Sequence, residues 1–370
     1  MPTRSFPPTA DDPDDDFGPL PDEQEPQLEI VVSERGTKWS DEEDADDEVS
    51  DEALVATGAD LSGSERVARF FGGVDHRTGA GGDIGLLTDL NRDGMAAFQS
   101  AWAGLPETAH GELARRLTEA ASERYDLQFT RIFLGLLDDA NPVVRQFAVA
   151  GLADEQSPAI VERFVRLIES DPSTDVRSAV AAGLSAYADL AAGGESVGVD
   201  ADELADVLET IAVDEDEPDQ LRRAALESWA VFGSAGAEGF SSAVADVIAE
   251  LYNSGDSASQ ASAIVAMGRT LDRRWLPFVE RDLTSDDAEV RLAAVRSAGQ
   301  LADASLVEPV AALTSDEDDE VRAAAIAALG QIGGPAAVRI LRGLAADPER
   351  TDQDAVNEAV EEATLAAEPL

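Results

Sequence analysis

The sequence predicts an all-α protein, an α-solenoid (superhelix) of about seven stacked helix pairs behind a disordered acidic N-terminal tail. Three observations predict it. From about Ile84 onward, helical patterns alternate with short breaks of Gly, Pro, Ser or Asp, and no β-branched alternation marks a strand. Within that region one short pattern, an apolar residue followed by arginine, keeps returning in the same helical frame. Before it, residues 1–83 are rich in acid and proline and poor in apolar side chains, a composition that cannot offset the entropy of folding.

The returning pattern is specific. Val144-Arg145 leads to Ala148 and Leu152, Val176-Arg177 to Val180 and Leu184, and Leu221-Arg222 to Ala225 and Trp229. Val290-Arg291 leads to Ala294 and Ala298, and Val321-Arg322 to Ala325 and Leu329. The apolar positions fall at i, i+4 and i+8, one stripe of a helix. Gln260 and Asn357 stand in the arginine position of two weaker copies, and Arg291 and Arg322 are 31 residues apart, a period typical of stacked supersecondary units. Small residues such as Gly151, Gly183, Ser228, Ser297 and Ala328 sit between the apolar ones and let a neighbouring helix come close. A further helix is expected before each marked one, at 126–137, 158–169, 202–212, 242–252, 273–283, 306–313 and 336–345. The turns between them carry Asn141-Pro142, Asp171-Pro172, Glu217-Pro218, Ser285-Asp286 and Ser315-Asp316 as helix starts. The insert 190–199 reads as a loop that lengthens the step from Arg177 to Arg222.

The arginines need a reason. In a first helical turn the helix dipole disfavours a cation by about 0.3–1 kcal/mol. Repetition of that choice at Arg145, Arg177, Arg222, Arg291 and Arg322 points to a structural ladder, each guanidinium held by an acid in an inter-helix turn of the same repeat or the next. Asp139, Asp171, Asp216 and Asp316, six residues before an arginine, are the expected acids.

The segments DDANPVVRQFAVAGL, TSDDAEVRLAAVRSAGQLAD and TSDEDDEVRAAAIAALGQIGG resemble HEAT repeats, in the short form found in phycobilisome-lyase-type proteins. The resemblance covers roughly residues 90–366. It implies a right-handed superhelix whose inner helices line a concave face, and a protein-binding scaffold as the commonest role. It also implies one rival reading, a bilin lyase acting on a client's cysteine; the acidic tail suggests a second, a chaperone-like assembly factor that holds clients with that tail.

Composition narrows the classes. The chain has 370 residues and a formal net charge of -49, with Lys38 its only lysine. Acid excess with lysine depletion resembles the cytoplasmic proteins of salt-accumulating haloarchaea, so a halophilic, cytoplasmic protein is expected. The same charge argues against nucleic acid, whose binding needs clustered cations. There is no cysteine, which excludes disulfides and thiolate ligands in this chain. The stretch from Met1 has no apolar signal core and no run reaches the length of a membrane span.

No enzyme site, cofactor or metal is expected. His76 and His110 lack ligating neighbours and read as surface residues, and the Gly72–Gly85 stretch reads as a flexible linker. Asp89-Leu-Asn91-Arg-Asp93-Gly94 begins like a calcium loop, but Ser100 stands where the closing Glu belongs, so a capped helix start is preferred. The apolar islands Leu28–Val32 and Val67–Phe71 read as incidental residues of the tail or as motifs that fold onto a partner or onto the protein itself. The expected partner is a protein. Its interface is placed at Arg223, Glu227, Arg296 and Gln300 on the inner helices, with Arg273, Arg274 and Trp275 as a second edge. Packing of Trp275 and pairing of the arginines with Asp272 and Asp282 is the alternative.

Overall fold

A first turn capped from both sides opens the first helix of the described chain. Ser62 accepts from the Glu65 amide while the Glu65 carboxylate accepts from the Ser62 amide, a reciprocal cap that fixes the start of α1 (Gly63–Gly72). The computed structural model describes residues 61–153, 155, 157–233, 242–346 and 353–365. The tail up to residue 60, with Leu28–Val32, Lys38 and Trp39, lies outside them. The boundary expected at 83 is therefore too late. Helix α1 buries Val67, Phe70 and Phe71, so that island folds onto the protein's own core. The glycine stretch after it is a built turn. Arg116 donates to the carbonyls of Gly79 (2.8 Å) and Gly82 (3.3 Å), Val74 and Gly81 form an isolated antiparallel bridge, and a Cβ on Gly79 would lie 2.5 Å from the Ala109 carbonyl oxygen.

Helices α2 (Arg92–Ala103) and α3 (Glu107–Glu123) follow. Asn91 caps α2 by accepting from the Gly94 amide, which makes the calcium-like stretch a helix start. Seven helix pairs come next among the described residues: α4 (Thr130–Leu136) with α5 (Pro142–Ala150), and α6 (Pro158–Ser170) with α7 (Thr174–Gly183). A short helix, α8 (Ser185–Ala192), extends α7 and occupies the start of the insert expected to be loop. Then come α9 (Ala201–Val213) with α10 (Asp219–Trp229), α11 (Ser242–Tyr252) with α12 (Ser257–Arg269), and α13 (Leu276–Asp282) with α14 (Ala288–Leu301). The last are α15 (Val307–Ala312) with α16 (Asp319–Ile332) and α17 (Gly334–Ala345) with α18 (Gln353–Leu365). No strand occurs among the described residues.

The second helix of each pair packs on the second helix of the next, from α3 and α5 through to α16 and α18, and each also packs on its own first helix. A second helix is thus covered on three sides, and its buried set shows it. In α14, Val290, Arg291, Ala293, Ala294, Val295, Ser297, Ala298 and Gly299 are all buried. Small side chains there set the helix spacing. Ser228 donates to the Ala181 carbonyl and Ser297 to that of Ile264, each at 2.7 Å, so hydroxyls tie α10 to α7 and α14 to α12.

The close approach peaks at Gly268. A Cβ there would stand 2.8 Å from the Ser297 Cα and 2.4 Å from the Gln300 Oε1. The backbone of α14 cannot yield as a side-chain tip can. Gly268→Ala is expected to lower unfolding free energy by about 1–3 kcal/mol, the range for overpacking. Gly343→Ala in α17, where an added Cβ meets nothing within 4 Å, should instead gain up to about 1 kcal/mol from helix propensity. Denaturant titrations of the two variants check this, and equal midpoints would contradict it.

Candidate functional site

The ladder arginines occupy one register. Arg145, Arg177, Arg222, Arg291 and Arg322 are each the fourth residue of their helices, α5, α7, α10, α14 and α16. Arg145 grips Asp171 with both Nε (2.8 Å) and Nη2 (2.7 Å), and Arg291 grips Asp316 in the same way (2.9 and 2.8 Å). In both cases the acid belongs to the turn of the next pair. Nη1 of each arginine turns back to carbonyls of its own inter-helix turn, Asp139 O and Ala140 O for Arg145, Ser285 O and Asp286 O for Arg291. Those carbonyls lie just past the C-terminal end of the first helix, where the dipole favours a cation and offsets the unfavourable position in the second.

The acids are oriented before the arginine arrives. Asp171 accepts from the Ser173 amide and Asp316 from the Asp318 amide, an Asx-turn that aims the carboxylate. This work takes Asp171 and Asp316 out of capping, so the caps of α7 and α16 fall two residues later, at Ser173 and Asp318. Asp316 is held below the usual carboxylate range, chiefly by the hydrogen bonds from Arg291. Three rungs differ from the expectation. Arg177 pairs with Glu217 (2.6 and 2.9 Å) rather than Asp216, because the Asx-turn there is made by Asp214. Arg222 reaches Glu250 at the end of α11 (3.0 Å) and the Ala212 carbonyl. Arg322 donates to Asp316 O and Glu317 O and pairs with Asp319.

At the N-terminal end the register continues in a residue first read as surface. His110 is the fourth residue of α3, and Ala109, Leu113 and Leu117 are buried in the same frame as Val144, Ala148 and Leu152. His110 stacks on Trp102 (4.5 Å between centroids, 13° between planes), and its Nε2 lies 3.0 Å from the Trp102 carbonyl. The Trp102 indole donates to Asp139 Oδ2 at 2.8 Å, taking the place an arginine holds at the later rungs. Beside this substitute rung lies a cavity of about 390 Å³. Met95, Phe98, Trp102, Ile132 and Leu136 form its apolar walls, and Glu107, Asp138 and Asp139 bring carboxylates to it.

The predicted interface residues are only partly brought together. Arg296 and Gln300 are exposed on α14 and border a groove of about 520 Å³ between α14 and α16, floored by Ala323, Ala324, Ala327 and Ala328 and rimmed also by Glu320 and Gln331. Arg223 and Glu227 are on α10, with α12 between them and α14. Glu227 is half-buried, and burial pushes its carboxyl up despite a hydrogen bond with Ser262 and the charges of Arg269 and Arg223. It is engaged in packing, contrary to the expectation that it stands free. At the second edge only Trp275 leaves the surface position expected of it, and Arg273 and Arg274 stay exposed. Trp275 is buried against Phe278, in a 3₁₀ turn that swings it inward. Arg273 pairs with Asp303 and Arg274 with Asp272.

Among the described residues no cluster of His, Cys, Asp and Glu suits a metal ion, and no helix is long and apolar enough to cross a membrane. No curated protein matches the chain in sequence. Solved structures with a similar fold include an engineered protein at 23% identity (56% of this chain, 98% of that one, TM-score 0.36). Others are the complex of CpcE and CpcF of phycocyanin lyase from Nostoc sp. PCC7120 at 15% (63%, 94%, TM-score 0.42) and human deoxyhypusine hydroxylase at 15% (82%, 97%, TM-score 0.32). No conclusion about activity or partner follows from likeness at this level. The family model described as HEAT repeats matches residues 130–230 and 276–361, half of the chain, and with the paired helices and their arginine register this makes the chain a member of the HEAT-repeat family.

Proposed function

We propose that the protein is a non-enzymatic scaffold that holds a protein partner along the face of its second helices, centred on the groove between α14 and α16. The groove itself is the supporting observation. Four alanines leave a floor that needs no further side chain for packing, and Arg296, Gln300, Glu320 and Gln331 surround it with donors and acceptors. A concave apolar floor with a few convergent polar groups is the usual form of a binding site. Arg296 matters most, because an exposed cation on a chain of net charge -49 offers a rare attractive point for an acidic residue of the partner. The reading carries with it a salt-rich cytoplasm as the working medium, from the acid excess and lysine depletion of the sequence.

The test is crosslinking and affinity capture in molar salt, with the Arg296→Ala, Gln300→Ala, Glu320→Ala, Gln331→Ala quadruple variant beside the native chain. All four side chains are at the rim, so the variant should keep its melting curve. Loss of the captured partners at an unchanged melt is the expected outcome; capture of the same partners by both chains would remove the reading.

A further inference from the structure

The cavity beside Trp102 sits where the ladder lacks an arginine. At the later rungs the arrangement is a template: a carboxylate pre-aimed by the amide two residues on, then two parallel N–H donors from a guanidinium. Asp171 and Asp316 each accept three hydrogen bonds in this way. Asp139 has the same pre-aimed carboxylate, with Asn141 N at 2.9 Å from Oδ1, but among the described residues the Trp102 indole is its only outside donor, on Oδ2. The acceptor position on Oδ1 that Nη2 fills in Asp171 and Asp316 is unused at Asp139, and an ionised carboxylate has room for about four donors.

We propose that this cavity recognises an arginine side chain from a peptide segment of a partner, with an adjacent aliphatic side chain of that segment entering the apolar part. The guanidinium donates to the unused position on Asp139 Oδ1, beside the Trp102 indole that already holds Oδ2. Charge complementarity selects the occupant: Glu107 and Asp139 line the cavity beside Asp138, which pairs with Arg163, and no arginine or lysine is among the lining residues. Apolar complementarity selects its neighbour, since Met95, Phe98, Ile132 and Leu136 make the rest of the wall. Lysine would serve less well, because a compact ammonium is more strongly hydrated than a guanidinium and has no flat face. A planar guanidinium also matches the flat Trp102–His110 stack that lines the cavity. The inference does not rest on the groove between α14 and α16, and the residues tested differ, so either site can fail without the other.

The experiment titrates the full chain with the peptide acetyl-Leu-Arg-Leu-amide and with its citrulline counterpart, which keeps the shape and removes the charge. Binding is read by calorimetry and by the indole N–H resonance of Trp102. The arginine peptide should bind saturably and shift that resonance, with the citrulline peptide at least about tenfold weaker, one charge-assisted hydrogen bond being worth more than ~1.4 kcal/mol. His110→Arg supplies the missing arginine from within. It should raise the melting midpoint and abolish peptide binding. Gly135→Leu gives a second, independent block. Gly135 faces the cavity, an added Cβ there has no neighbour closer than 3.9 Å, and leucine favours the helix. That variant should fold as the native chain does and lose the peptide. Equal binding of the arginine and citrulline peptides, unimpaired binding by folded Gly135→Leu, or no saturable signal at millimolar peptide would each overturn the proposal.

Discussion

Arg291→Ala should destabilise the array by about 3 kcal/mol, the lower end of the range for removing one partner from a buried ion pair. Arg291 and Asp316 are 9% and 7% exposed in their side chains, and the pair is bidentate at 2.8 and 2.9 Å. The variant strands Asp316 as a nearly buried anion, held by the Asp318 amide and the nearby Arg322 charge, and frees the carbonyls of Ser285 and Asp286. Replacing both partners, as Arg291→Met with Asp316→Leu, leaves no stranded charge and should cost less than Arg291→Ala alone. Acid gives the same rung a second signature. The folded pKa of Asp316 lies below its unfolded value, so the unfolded chain takes up the proton first as pH falls. The contribution is complete above the ordinary carboxylate range, near pH 4, and is lost as pH drops through the folded value. Arg291→Ala should therefore flatten the acid limb of the stability profile. Denaturant midpoints between pH 2 and 7 measure both effects. A single variant no worse than the double, or an unchanged acid limb, would show the rung to be ornamental. Arg115 is the contrast: it pairs with Glu112 and Glu119 on an exposed face, and Arg115→Ala should leave the transition where it is.

What the sequence showed and hid follows from which forces repeat. Helix pairing was legible because burial on three sides imposes the i, i+4, i+8 stripe at Val290, Ala294 and Ala298 and again at Val321, Ala325 and Leu329. The ladder acid was legible as a residue type but not as a partner. Asp171 belongs to Arg145 of the previous pair, and nothing in local spacing distinguishes that from pairing within its own turn. The N-terminal elements were hidden for a different reason. Phe70 and Phe71 stand in a short helix between an acidic stretch and a glycine run, and only the carbonyl-binding of Arg116 reveals those glycines as a turn. His110 was in the right frame, with Ala109, Leu113 and Leu117 around it, yet a search keyed on arginine passes over it. Trp275 illustrates the limit of composition. A tryptophan among arginines suggests an exposed hot spot, whereas the 3₁₀ turn set by Asp272 points the ring inward.

The largest response of all is expected from salt. Seventy-six acidic residues against 27 basic ones leave a net charge of -49, and some of the basic residues are already committed to rungs such as Arg145–Asp171, Arg177–Glu217 and Arg291–Asp316. The remaining carboxylates repel one another across the surface, and the folded array holds them closer together than the unfolded chain does. At 0.1 M salt the screening length is about 10 Å, comparable with the spacing of neighbouring helices, so charges on adjacent pairs still interact. Above 1 M it falls to about 3 Å and that repulsion is removed. The bidentate rungs are largely shielded from solvent and lose little over the same change, which separates the two electrostatic contributions. Thermal midpoints should therefore rise steadily from 0.1 to 3 M KCl, and the loss caused by Arg291→Ala should persist at the high end. Sulfate salts strengthen apolar burial as well as screening, so chloride is the discriminating choice. A midpoint independent of KCl would show that surface repulsion is not what limits this fold, and with it the inference of a salt-rich working medium would go.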